Sequence, residues 1–231
     1  MSSGDTPGLR SARHLRQLLE AASGGHPPEP DGIVEVIARP PGPVHAVVAF
    51  MSHIVVAADV DEPWVLARLD PDDPGVATRP DFLAELGRHV GAHAGQLDAV
   101  LVAQGALPGN HGLDRVEVDA AAEHPRFRGA QRFRTDVRAW RTKNGTGLVS
   151  IGRGLAHRWE ISFELDTGAR GHGLGRLLAL ACRELVSADE AVYAQVSPGN
   201  VASLRALLSA GFCPIASEVL FLDYNWHPEA G

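Results

Sequence analysis

Between Trp159 and Phe212 the chain spells a strand, a glycine loop, a helix, a second strand and a capped helix in unbroken succession. That order commits the stretch to an α/β layer arrangement. WEISFEL (159–165) alternates, with Ile161, Phe163 and Leu165 on one face and Glu160, Ser162 and Glu164 on the other. After the loop, Leu174, Leu177, Leu178, Ala181, Cys182 and Leu185 recur at helical spacing as one apolar stripe. AVYAQV (191–196) reads as a strand, Asn200 is placed to cap VASLRALLSA, and Gly211 to end that helix in the left-handed conformation. A last strand is expected over residues 215–224.

The strand at 159–165 delivers Arg170-Gly171-His172-Gly173-Leu174-Gly175 to a helix N-terminus. First-turn N–H groups there lack intrahelical partners and carry the positive end of the helix dipole, which makes an anion site. Glycines at 171, 173 and 175 let the backbone close on a phosphate, and Arg170 adds a fixed, forked cation. In a chain with 25 glycines, a flexible turn is the alternative reading of such a string. Other phosphate motifs fit worse. There is no G-x-x-x-x-G-K-[ST], and the spacing from Gly173 to Gly175 is one residue too short for G-x-G-x-x-G.

Arg170–Gly175, following WEISFELD and preceding RLLALACREL, resembles the acyl-CoA signature (Arg/Gln-x-x-Gly-x-Gly/Ala) of the GNAT acyltransferase superfamily. VSPGNVASLRALLSAGF resembles that superfamily's second signature, a strand, an asparagine and a helix ending in Gly-Phe. The resemblance covers about residues 126–231. It implies the GNAT fold, an α/β (α+β) domain with a mixed, twisted sheet flanked by helices. The strands ending near Leu165 and Val196 would splay apart to admit a pantetheine arm. It further implies that backbone N–H groups of Arg170, Gly171, His172, Gly173, Leu174, Gly175 and Arg176 hold the pyrophosphate of acetyl-CoA as co-substrate. The backbone near Phe163 and Leu165 would pair with pantetheine, and Asn200 and Ser203 would lie beside the thiol end. The sequence departs from the family at Leu207, where many members carry a tyrosine that protonates the leaving thiolate; Ser203, Tyr193 or water are the substitutes available.

Upstream, residues 1–30 read as a flexible arm: SARHLRQLLEAA has helical character but is cut off by Gly24, Gly25, Pro27, Pro28 and Pro30. Residues 31–125 read as an N-terminal α/β lobe, either a degenerate GNAT copy or a cap, and residues 126–231 as the acyltransferase domain. In the lobe, IVEVIA (33–38), HAVVAF (45–50), HIVVAA (53–58), WVLARL (64–69) and LDAVLVAQ (97–104) read as strands. Thr78 and Pro80 open a helix to Gly91, and the loop LPGNHGLD closes the block. In the second domain RFRTDVRAW (132–140) alternates, with Arg132, Arg134 and Arg138 set against Phe133, Thr135, Val137 and Ala139, and Asn144-Gly145 signals a hairpin.

Two carboxylates on one face of a central strand require a polar cleft or cationic partners, because an unpaired buried charge costs several kcal/mol. Glu160 or Glu164 is therefore either the general base for an amine, directly or through water, or one half of an ion pair with a neighbour such as Arg153 or Arg158. Ser203 completes the catalytic candidates. Glu85, His89 and His93 stand at i, i+4, i+8 on the expected helix, but no H-E-x-x-H or cysteine ligand accompanies them, and no metal is expected.

Composition sets the outer limits. Net charge is -7, which disfavours general nucleic-acid binding, although seven basic residues against one acid between Arg126 and Lys143 keep an anionic partner in view. No apolar run approaches the ~18 residues of a membrane span. The start of the sequence lacks an apolar signal region, and the two cysteines, Cys182 and Cys213, read as reduced thiols, so a cytoplasmic protein without membrane contact is expected. The expected activity is transfer of an acetyl group from acetyl-CoA to a small-molecule amine. The alternatives are a non-catalytic acyl-CoA-binding sensor and an aminoacyl-tRNA-dependent transferase, and a homodimer is left open.

Overall fold

The computed structural model describes residues 7–107, 109, 115–118 and 124–223. In chain order the elements are α1 (Pro7–Ser23), β1 (Val34–Ile37), β2 (Val44–Phe50), β3 (His53–Ala57), α2 (Glu62–Leu66), α3 (Pro80–Val90), β4 (Ala92–Gln104) and β5 (Arg115–Val118). There follow α4 (Pro125–Gln131), β6 (Thr135–Thr142), β7 (Gly147–Arg153), β8 (Trp159–Leu165), α5 (Leu174–Arg183), β9 (Ala191–Val196), α6 (Val201–Ser209) and β10 (Cys213–Asp223). The loop LPGNHGLD lies largely outside the described residues, as does Tyr224.

The chain forms two compact units that do not follow a single cut in the sequence. The first takes residues 1–99, 155–157 and 215–231; the second takes 100–154 and 158–214. Neither unit follows a linear division at 125/126: residues 100–125, with the end of β4, fall with the second unit, and residues 155–157 and 215–231, with most of β10, fall with the first.

In the first unit the strands lie in the order β1-β3-β2-β10-β4. β2 and β3 form an antiparallel hairpin, β1 runs parallel to β3, and β10 runs antiparallel to β2 with Val219 opposite Val47. β3 is buried along its whole length, which is why its sequence is a continuous apolar run. The core gathers Val47, Ile54, Val56, Phe82, Leu86 and Phe221. Residues 7–23 form a helix where a flexible arm was expected: Leu15 and Leu19 are fully covered and Ala22 is 5% exposed. Residues at i, i+4 and i+7 share one helix face, and tertiary burial of that face supplies what an isolated helix lacks.

WVLARL contributes to a short helix rather than a strand. Asp61 precedes it and Pro63 stands in the first turn, and at i and i+4 the Arg68 guanidinium lies 3.8 Å over the Trp64 ring while its Nε donates to Glu85 Oε1 at 2.8 Å. α3 starts at Pro80 as expected and ends at Gly91 with φ 68°, but Thr78 does not cap it; its hydroxyl donates to the Gly75 carbonyl one turn earlier. β4 begins five residues before the expected Leu97, because its first half is mostly exposed and carries no apolar signal. Among the described residues no helix is long and apolar enough to cross a membrane.

In the second unit the order is β4-β9-β8-β7-β6-β5, with β5 to β8 antiparallel neighbours and β8 parallel to β9. The β6–β7 turn uses Gly145 at φ 75°, and Asn144 Oδ1 accepts from the Thr146 amide. Phe127 of α4 packs with Ala139 and Leu148 on one face of the sheet, while α5 lies against β7 and β8 on the other.

Leu19→Ala should destabilise the protein by about 2–4 kcal/mol in urea unfolding, since it empties a fully buried site. Asp98 on β4 is half-buried, and burial together with the negative charge of Glu218 pushes its carboxyl up to about 6. A raised carboxyl binds its proton more tightly in the folded state, so stability falls as pH climbs from the ordinary 3.8 through 6. Asp98→Asn should therefore raise stability at pH 8 by about 1–2 kcal/mol, after discounting for partial exposure, and leave it unchanged near pH 3.5. Thermal melts of both proteins across that range check it.

Candidate functional site

Parallel pairing between β8 and β9 runs from Trp159 opposite Val192 to Ile161 opposite Ala194 and stops there. β8 continues to Leu165, still paired on its other edge with β7, and β9 continues to Val196. The two strands thus part after Ile161 and Ala194, and among the described residues one edge of Ser162–Leu165 has no strand paired to it. A strand edge without a neighbour offers backbone donors and acceptors to an extended ligand.

The glycine loop stands at the C-terminal end of this open edge. A short 3-10 turn at Thr167–Ala169 leads to Gly171 at φ 84° and to Gly173, the residue before α5, at φ 77°. A side chain at either position would be strained. Among the described residues the backbone N–H groups of Gly171, His172, Gly173, Leu174 and Gly175 meet no acceptor within the protein, and no side chain caps the helix. Gly175 also serves packing. A Cβ there would stand 3.2 Å from the Ala206 Cβ and 4 Å or less from Leu165 and Phe163, so its bare backbone lets α5 seat on α6 and β8. Arg170 is exposed, with Nε donating to the Leu165 carbonyl at 3.3 Å, and His172 is exposed. Arg176 turns from the loop and donates to the Ser209 carbonyl at 2.9 Å, closing the C-terminal end of α6. Asn200 caps α6 by accepting from the Ser203 amide at 3.2 Å, and Ser203 is half-buried beneath it. Leu207 is 1% exposed and belongs to the core.

The two glutamates of β8 have separate fates. Glu160 is 1% exposed; Oε1 accepts from Arg158 Nε at 2.8 Å and Oε2 from Arg134 Nε at 3.1 Å. Burial alone would raise its carboxyl, but the two guanidinium charges prevail and hold it below the usual 4.5. Its carboxylate packs directly on the bare backbone of Gly154. Of the alternatives read from sequence, Glu160 takes the ion pair, with Arg158, while Arg153 goes to Glu190 at 3.5 Å and lies over the Trp159 ring. A buried carboxylate held ionised by two arginines is a weak base, since it gains little by taking a proton. Glu164 is 39% exposed at its side chain and pairs with Arg126 at 2.8 Å. That hydrogen bond, with the charges of Arg126, His124 and Arg170, holds it low as well.

Sequence reasoning missed Arg134. Strict alternation put it on one face with Arg132 and Arg138. A bulge at Asp136 (φ 51°) shifts the β6–β7 register between Thr135 and Arg138, and a one-residue shift exchanges the faces. Arg134 is consequently turned inward at 9% side-chain exposure, while Arg138 stays out and is held by both oxygens of Glu117. The available signal was Gly152-Arg153-Gly154 on the strand beside β8, where alternate glycines make room for the Glu160 carboxylate and the Arg134 stem. Ser150 and Ser162 extend the polar group, their hydroxyls 2.8 Å apart.

The histidines read as metal candidates do not converge. Glu85 pairs with Arg68, His89 stacks on Trp64 with ring centres 4.2 Å apart, and His93 lies on β4 beyond the end of α3. His124 caps α4 by accepting from the Arg126 amide, and His157 sits in a turn at φ 61°.

No protein-family model and no curated protein matches the chain. Several similar solved structures are GNAT acetyltransferases. A GCN5-related N-acetyltransferase from Kribbella flavida is 16% identical with a TM-score of 0.42, over 95% of this chain and 96% of that chain. A putative GNAT-family acetyltransferase from Novosphingobium aromaticivorans is 17% identical with a TM-score of 0.37, over 58% of this chain and 67% of that one. A tandem GNAT protein from the clavulanic acid biosynthesis pathway is 18% identical with a TM-score of 0.35, over 60% of this chain and 57% of that one. At these identities the similarity is one of fold alone.

Glu160→Gln should cost about 3–5 kcal/mol at pH 7, because it leaves two buried guanidinium groups short of their shared anion. A carboxyl held low in the fold contributes stability above its unfolded value of 4.5 and loses it as pH falls. The gap between wild type and Glu160→Gln in denaturant midpoints should therefore narrow steadily below pH 4.5.

Proposed function

We propose that this protein is an N-acyltransferase that moves a short acyl group, acetyl by default, from acyl-CoA to a small-molecule amine by direct attack on the thioester. The observation that carries this reading is the parting of β8 and β9 after Ile161 and Ala194, with unsatisfied loop amides at the open end of the same edge. An extended, amide-bearing pantetheine arm can pair with Ser162–Leu165, and a diphosphate can take the N–H groups of residues 171–175. Phe163 and Leu165 carry the edge; Arg170 and His172 flank the phosphates; Asn200 and Ser203 stand at the start of α6.

In the proposed reaction the amine nitrogen bonds to the thioester carbon, the C–S bond breaks, and the thiolate leaves. Glu164, the carboxylate of β8 that remains accessible, holds the incoming ammonium by accepting a hydrogen bond, and the protons lost from nitrogen before and after attack pass to water. A thiolate whose parent thiol resembles cysteine, with a pKa of about 8.5, leaves without a strong acid, which is compatible with Leu207. Two features favour a second reading, a sensor that binds acyl-CoA without turnover: the sequestered Glu160 and the buried Leu207.

Acetyl-CoA at about 100 times its Kd should stabilise the wild type by about 2.7 kcal/mol, read as a rise in Tm of several degrees. Gly173→Val, strained at φ 77° and projecting into the loop, should abolish the rise. No protection of the wild type would remove the acyl-CoA reading. Thiol release with a panel of amines supports the enzyme, whereas protection without release supports the sensor.

A further inference from the structure

Where β8 and β9 part, a side chain bridges the two strands. Arg134 Nη2 donates to the Ile161 carbonyl on β8 and to Gln195 Oε1 on β9, both at 3.3 Å, and so spans the vertex of the fork. Nε donates to Glu160 at 3.1 Å and Nη1 to Ser162 Oγ at 3.2 Å. A guanidinium carries five N–H donors, and these bonds use four. The fifth, on Nη1, is held at 9% side-chain exposure beside Ser162, the first residue of the open edge. Glu160 and Ser162 fix the plane of the group on one side and the β8 backbone and Gln195 on the other, so the donor does not have to be ordered when a ligand arrives.

Resting on the acyl-CoA reading, we propose that Arg134 is a catalytic residue whose remaining Nη1–H receives the thioester carbonyl oxygen and stabilises the negative charge that grows there during acyl transfer. The fork admits the donor chain from its open end and closes at Ile161 and Ala194, so the acyl end of an inserted thioester meets Arg134. As the amine adds to the carbonyl carbon, the electron pair of the C=O bond moves onto oxygen. It returns when the C–S bond breaks, the thiolate leaves with the sulfur electrons, and the ammonium proton passes to water. Arginine does not give up a proton in this cycle; it acts by charge and hydrogen bond alone. Preorganised donors of this kind are worth about 100- to 1,000-fold in turnover. The role also accounts for a second arginine spent on Glu160 beside Arg158: the carboxylate anchors Arg134 rather than acting as the base.

The test reads binding and needs no knowledge of the amine. S-acetonyl-CoA keeps a carbonyl near the thioester position and S-propyl-CoA lacks it. Wild type should bind the ketone at least tenfold more tightly, by calorimetry or thermal shift. Arg134→Gln combined with Glu160→Gln removes both members of the pair, and Arg134→Lys keeps the charge on a shorter reach. Either variant, once shown folded by circular dichroism, should bind both analogues within threefold of each other. Equal affinities in the wild type, or a preference that survives in a folded variant, would overturn the role of Arg134 while leaving acyl-CoA binding intact. Failure of the wild type to bind either analogue would instead sink the acyl-CoA reading and this inference with it. Where an amine acceptor is found, Arg134→Lys should lower kcat 100-fold or more with KM for acetyl-CoA changed less than threefold. A proportionate loss in both would mark Arg134 as structural only.

Discussion

The parting of two parallel strands is the constraint on which the second unit is built. A parallel ladder satisfies backbone groups rung by rung, and ending it inside a sheet leaves donors and acceptors that must find other partners. Here the Ile161 carbonyl finds Arg134, and Arg134 in turn requires an anion in the interior. Glu160 supplies it, Arg158 balances Glu160 from the other side, and Gly154 leaves the space the carboxylate occupies. The buried ions thus form one connected group with the β8 backbone at the vertex of the fork, and removing one member would leave the others uncompensated.

At the far end of the same edge the backbone is prepared differently. Gly171 and Gly173 adopt left-handed conformations, while the bare backbone of Gly175 lets α5 seat on α6. One glycine string thus carries two tasks: two residues shape the loop and the third sets helix packing. Arg176, which the motif groups with the phosphate loop, ties α5 to the end of α6 through the Ser209 carbonyl. At the other end of α5, Arg183 Nη1 donates to the Ala210 carbonyl at 3.0 Å, so the helix behind the loop is tied at both ends.

Much of this was legible in the order of residues. The apolar stripe of α5, the cap at Asn200, the stop at Gly211 and the strands at β2, β3, β7, β8 and β9 follow from local period and turn chemistry. WVLARL misled because an apolar run six residues long does not distinguish a strand from a helix, and Pro63 with the Trp64–Arg68 stack decided for the helix. The arm before Gly24 misled because its helix depends on burial of Leu15 and Leu19, which no local signal reports. Arg134 was placed on the wrong face because one extra residue at Asp136 inverts the alternation downstream of it.

Sequence by itself determined that residues 159–212 form strand, glycine loop, helix, strand and capped helix, since each of those steps is governed by contacts within a few residues. It also determined that Glu160 and Glu164 share a strand face, because side-chain direction alternates along any strand. Only the tertiary structure decided that Glu160 is locked between two arginines while Glu164 keeps water contact, and that a residue 26 positions earlier in the chain stands at the vertex of the fork. The reason is physical: whether a charge is sequestered or available depends on which distant groups are folded against it, and the register shift that brings Arg134 inward is a property of strand pairing, not of any short run of residues.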